Sequence, residues 1–102
     1  MSPAPELQGF QRRHLRAKAH ALKPVVQVGD GGVTDAIVRA IEEALARHEL
    51  IKVRLQAPED KKSTARELAT RTASALCGVL GHTVILYRPD PEEPKIELPT
   101  RA

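Results

Sequence analysis

Pro24-Val25-Val26-Gln27-Val28-Gly29-Asp30-Gly31-Gly32-Val33-Thr34 is the stretch that sets the architecture. Its first part is short, β-branched and bounded by Pro24 and Gly29, which predicts a strand. Its last part predicts a helix start, with Thr34 as N-cap and Asp35 at the positive end of the helix dipole. The glycines between them make the turn. Beyond Thr34, Ile37, Val38, Ala40, Ile41, Ala44 and Leu45 share one arc of the helix, while Asp35, Arg39, Glu42 and Glu43 share the other. The exposed face of this helix is therefore mildly acidic and a poor surface for a polyanion.

Upstream, Leu7 to Leu22 reads as an amphipathic helix. At about 100° per residue, Arg12, Arg13, Arg16, His20 and Lys23 fall within one arc with no acid among them, so this face is expected to be cationic and outward. Lys23-Pro24 ends the helix, because the residue before proline is biased away from helical geometry. Downstream, Ile51, Val53 and Leu55 alternate with Lys52 and Arg54, the pattern of a half-buried strand. Pro58-Glu59-Asp60 turns the chain. Ala65, Leu68, Ala69, Thr72, Ala73 and Leu76 then predict a third helix, capped by Ser63 or Thr64 and stopped at Gly78. Thr83 to Arg88 and the shorter Lys95 to Leu98 predict the two last strands.

The expected order is α-β-α-β-α-β-β, an α/β chain of the α+β two-layer kind, with helices packed on a mixed four-stranded sheet. One domain is expected over residues 7–98, with a disordered lead at 1–6 and a tail at 99–102. A chain of 102 residues can support a single core without staples. Cys77 is the sole cysteine and cannot form an internal disulfide. No apolar run approaches a membrane span, and Met1 to Leu7 lacks the pattern of a signal peptide, so a cytoplasmic location is expected.

The formal charge is +3 and the pI about 9.4. This modest excess makes its distribution the informative quantity. Phe10 and Tyr87 are the only aromatic residues, too few for a base-stacking platform. His14, His20, His48 and His82 lack metal-ligand spacing, and no second cysteine supports them. Glu42-Glu43 and Glu92-Glu93 have nothing nearby to raise a carboxylate pKa, and no nucleophile with a base and an orienting group is visible. The sequence points to no enzyme, cofactor or metal.

Two readings stand for Gly29, Asp30, Gly31 and Gly32. A tight strand-to-helix turn needs glycine; equally, glycines at the positive end of a helix can present bare N–H groups to a phosphate. The spacing matches neither a Walker loop nor G-x-G-x-x-G. The cationic stripe on the preceding helix favours the second reading, since stripe and loop together could follow a sugar-phosphate backbone. Lys52, Arg54 and Arg88 are additional candidate contacts. Gly32→Asp is then expected to weaken binding of such a backbone and leave the fold intact.

Leu22-Lys23-Pro24-Val25-Val26-Gln27-Val28-Gly29, Gly32-Val33-Thr34, His48-Glu49-Leu50-Ile51-Lys52-Val53, and Gly81 with Val84-Ile85-Leu86-Tyr87-Arg88 occur in this order. In these blocks the chain resembles the YhbY family, the stand-alone bacterial form of the CRM RNA-binding domain, from about Leu7 to Leu98. The resemblance implies a fold similar to the C-terminal domain of translation initiation factor 3. It also implies an RNA-binding GxxG loop with Gly29 and Gly32 as its glycines, and association with ribosomal RNA of precursor large subunits. Asp30 places an acid where many members have lysine or a neutral polar residue, and His82 follows Gly81 where members often have lysine. DNA binding and docking on a ribosomal protein through the acidic second helix are the alternatives.

Overall fold

The structure, a computed structural model, describes residues 4–56 and 58–100. Its elements are α1 (Gly9–Ala19), β1 (Pro24–Val28), α2 (Asp35–His48), β2 (Leu50–Leu55), α3 (Lys61–Arg71), β3 (Ala75–Leu80) and β4 (Thr83–Tyr87). They build one four-stranded mixed sheet in the order β1-β2-β4-β3. β1 runs parallel to β2, and the other two pairings are antiparallel.

The letter order matches expectation, but one strand is a different segment. Ala75–Leu80 is β3, not the end of the third helix, and residues 95–98 are not a strand. α3 stops at Arg71 in a Schellman-type closure: the Ser74 N–H donates to the Ala69 carbonyl at 3.0 Å and the Ala73 N–H to that of Thr70 at 3.4 Å. Ala73 takes φ 52° there, a conformation normally signalled by glycine. The helix also starts earlier than its expected caps. Asp60 caps it, its carboxylate accepting from the Ser63 N–H at 3.1 Å.

Alternation along the strands sorts side chains onto two faces. Ile51, Val53, Leu55, Val84 and Leu86 meet Ile41 and Leu45 of α2 and Ala65, Leu68 and Ala69 of α3 in the larger core. Leu50, Ile85, Tyr87 and Cys77 meet Leu15 and Ala19 of α1, with Leu7, Ile96 and Leu98 packed alongside. α1 therefore lies on the face opposite α2 and α3, and the expected two layers become three over part of the sheet.

The residues after Tyr87 belong to this second core. Glu49 is 2% exposed and adopts φ 64°. Its Oε2 accepts from the Asp90 N–H at 2.6 Å, and its Oε1 accepts from the N–H groups of Lys95 at 2.9 Å and Ile96 at 3.0 Å. The Asp90 carboxylate accepts in turn from the N–H groups of Glu93 and Glu92, which hold its pKa below the usual range. This turn delivers Ile96 and Leu98 to the sheet without forming a strand.

Candidate nucleic-acid interface

The glycine loop begins where β1 ends. The Gly32 N–H donates to the Gly29 carbonyl at 3.0 Å, closing a four-residue turn, and the Thr34 N–H donates to the Gly32 carbonyl at 3.1 Å. Thr34 caps α2 as expected, its hydroxyl accepting from the Ile37 N–H at 3.2 Å. Arg71 braces the far side, donating to the Val33 carbonyl at 3.0 Å and pairing with Asp35 at 2.9 Å.

Only one of these glycines is demanded by the backbone. Gly32 has φ +72°, where an L side chain is strained. Gly32→Asp therefore tests folding as well as binding, contrary to the sequence expectation. Gly29 and Gly31 have ordinary φ, and a Cβ on either would meet nothing closer than 3.7 Å. The fold would accept alanine at both. What glycine leaves at these positions is bare backbone beside the Asp30, Gly31 and Val33 N–H groups, which have no acceptor among the described residues.

The candidate cations divide sharply. Arg13, His20 and Lys23 are exposed. Arg16 is not part of an outward stripe: its chain crosses the Cα of Gly78, and its guanidinium donates to the Cys77 carbonyl at 2.7 Å. A Cβ at residue 78 would lie 2.6 Å from Arg16 Cδ, so Gly78 serves this crossing and not a helix stop. Arg12 donates to the Leu7 carbonyl and is half-buried. The Lys52 Nζ donates to the Leu22 carbonyl at 3.0 Å and the His20 carbonyl at 3.4 Å, tying the end of α1 to β2. Arg88 donates to the carbonyls of Thr72 at 2.8 Å and Glu42 at 3.3 Å, stitching α2 to the end of α3. Arg16, Lys52 and Arg88 are thus committed to the fold. Arg54 is exposed and has no partner among the described residues.

The strand register explains where Arg54 stands. α1 covers the row containing Lys52, Ile85 and Gly78, while the next row, Gln27, Arg54, Thr83 and Leu80, has no helix over it. Two residues along a strand span about 7 Å, so this row forms an open strip between α1 and the glycine loop. Gln27 and Gln56 lie at its end, joined by a 3.0 Å hydrogen bond, with Gly29 adjoining Gln56. His20 and Lys23 sit beyond the opposite end of β1, about 16 Å from the loop by strand length.

On its other side the loop borders a cleft of ≈ 320 Å³ lined by Val28, Asp30, Leu55, Gln56, Glu59 and Thr64 among others. Among the described residues two carboxylates and no cation line it. Phosphates therefore suit the open strip and the loop amides, whereas the cleft suits hydrogen-bond donors. Cys77 offers no nucleophile, since burial raises its thiol to about 11 against the opposing pull of Arg16 and Arg12. Among the described residues no group of histidine, cysteine and carboxylate side chains could hold a metal.

Sequence reasoning missed three residues that the geometry brings forward. Glu49, which enters the sequence reading only as part of the His48 to Val53 block, is the anchor of the C-terminal segment. Lys62 and Arg66, to which the sequence reading assigns no role, line a second, cationic cleft with Arg12. Their i, i+4 spacing was the available signal, but only the placement of β3 gives it meaning.

A mixed sheet with one helix on one face, two on the other, and a bare glycine loop leading into a helix defines a small α+β fold with an amide-rich loop. The chain belongs to the CRS1 / YhbY (CRM) domain family, whose pattern it matches over residues 7–88. It is similar to the Bacillus subtilis protein named Probable RNA-binding protein YqeI, at 45% identity over 91% of this chain and 99% of that protein. It is also 40% identical to a Haemophilus influenzae protein named RNA-binding protein, over 89% of this chain and 93% of the other. The solution structure of SAV1595 from Staphylococcus aureus superposes with a TM-score of 0.81 at 38% identity, covering 92% of this chain and all of that one.

Proposed function

We propose that this chain is a non-catalytic, cytoplasmic RNA-binding protein that acts on ribosomal RNA of the precursor large subunit. The observation that carries the reading is the open strip. Arg54 is exposed on the sheet face that α1 partly covers, the bare amides of the loop follow the end of β1 beside it, and exposed Arg13 stands on α1, a set of cation and amide donors of the kind that holds a phosphate backbone. The names of the relatives support RNA as partner.

With no stacking platform, recognition rests on backbone shape and on sugar hydroxyls. The carboxylates of Asp30 and Glu59 are acceptors, and the ribose 2′-hydroxyl is a donor that DNA lacks. This favours RNA over duplex DNA. The test is crosslinking in living cells followed by sequencing of the attached RNA. Reads concentrated in large-subunit ribosomal RNA and its precursor spacers are expected. Attachment to DNA, or to messenger RNA without ribosomal RNA, would overturn the assignment.

A further inference from the structure

α3 has two flanks with different chemistry. Thr64 lines the cleft of the glycine loop, and Arg71 braces Val33. On the opposite flank Lys62 and Arg66, one turn apart, join Arg12 of α1 around an open cleft of ≈ 350 Å³ whose floor is β3 between Leu76 and Val79. β3 is an edge strand, paired with β4 alone. Cations from two helices on opposite faces of the sheet thus converge on one sheet edge, and among the described residues no carboxylate lines the cleft.

A single lysine beside an edge strand needs no ligand to explain it, because such charges discourage pairing with other chains. Three cations with no acid exceed that need. Their mutual repulsion disfavours the arrangement until an anion neutralises it. The side chains of Lys62 and Arg66 have no ion pair or hydrogen bond among the described residues, whereas that of Arg71 on the other flank is paired with both Asp35 and Glu67. Arg12 gives one nitrogen to the Leu7 carbonyl, leaving the rest of its guanidinium to the cleft.

We infer that Arg12, Lys62 and Arg66 form a second phosphate-binding site, which takes an RNA backbone segment distinct from the one at the glycine loop. This rests on the reading of the chain as an RNA-binding protein. The glycine loop follows β1 and the cleft lies on β3, the two outer strands of the sheet, about 14 Å apart across three strand spacings, so the ligand class is folded RNA that brings two backbone segments to opposite edges of the sheet. An acidic polypeptide fits less well: Arg16 already takes the Cys77 carbonyl on this strand, and the half-buried residues of the floor leave no row of pockets for alternating side chains.

The test measures binding of the wild-type chain and of the Lys62→Ala, Arg66→Ala double variant to an RNA hairpin, a single-stranded RNA of equal length and poly-glutamate, over a range of salt. Both residues are exposed, so an unchanged melting temperature is expected. The double variant should lose about tenfold in hairpin affinity, and its salt slope should fall by roughly 1.5. Its affinity for the single strand should change less than about threefold. Wild-type binding that the double variant retains in full would overturn the second site and leave the RNA reading standing. Absence of wild-type binding to either RNA would overturn both. Poly-glutamate bound as tightly as the hairpin, and lost in the double variant, would reassign the cleft to an acidic protein segment.

Discussion

Glu49→Ala is expected to destabilise the protein by about 3 kcal/mol, a large share of the 5–15 kcal/mol that typically holds a domain folded. The carboxylate accepts from three backbone N–H groups, those of Asp90, Lys95 and Ile96. Charge-assisted bonds of this kind contribute roughly 1.5–3 kcal/mol each, and less when summed over one side chain. Without them Ile96 and Leu98 lose their hold on the second core, where they pack near Leu15, Leu50 and Tyr87. Glu49→Gln should cost less than alanine, because one amide oxygen can still accept while the NH₂ group faces a donor. Glu49→Gly separates two effects. It loses the anchor but relaxes the φ of 64°, recovering about 1 kcal/mol relative to alanine. Urea melts and hydrogen exchange at the Lys95 and Ile96 amides read both. An alanine variant within 0.5 kcal/mol of wild type (roughly the scatter of surface substitutions), with exchange unchanged, would remove the anchor from the account.

Gly31→Asp is expected to weaken RNA binding about thirtyfold, equivalent to about 2 kcal/mol, with little change in stability. Gly31 has an ordinary φ, and the nearest atom to a new Cβ, Thr34 Cγ2, would be 3.7 Å away, so the turn persists. The substitution sets a second carboxylate beside Asp30 and covers backbone that a phosphate would approach. Gly29→Ala adds bulk without charge and should cost RNA affinity less, about fivefold, since a lost close contact is worth roughly 1 kcal/mol. It should also stabilise the fold slightly by restricting the unfolded chain. Gly32→Ala should behave in the opposite way, losing about 1–2 kcal/mol of stability through its φ of +72°. Equal RNA affinity for the wild-type and Gly31→Asp proteins would show that the loop is only a turn.

The parts of the fold legible from the chain were those whose signals are local. β1 lies between Pro24 and Gly29, Thr34 caps α2, and β2 alternates, each within a few residues of expectation. β3 was not legible, because Ala75-Leu76-Cys77-Gly78 has little β-propensity and continues the apolar spacing of α3. Pairing with β4 and cover from α1 and α3 make it a strand, and Ala73 ends the preceding helix where glycine would have announced the stop. Lys95 to Leu98 carries a β-type pattern but is drawn to Glu49 instead of a neighbouring strand.

The candidate site was half legible for a related reason. A helical wheel places Arg16 on the same arc as Arg13, yet cannot show that Gly78, in a distant strand, opens a channel for its side chain. Arg88 and Lys52 likewise find carbonyl partners contributed by other elements. Charge is visible in a sequence; whether a cation is already engaged depends on tertiary neighbours.

The central claim is that RNA lies along the open strip from α1 across Arg54 to the glycine loop, away from the acidic face of α2. Backbone amide chemical-shift mapping during titration with a ribosomal RNA hairpin tests it most directly. The account predicts the largest shifts at Asp30, Gly31, Val33, Arg54 and Arg13, with Arg39 and Glu43 unmoved. Shifts concentrated on Arg39, Glu43 and their neighbours on α2, with the loop amides silent, would contradict it.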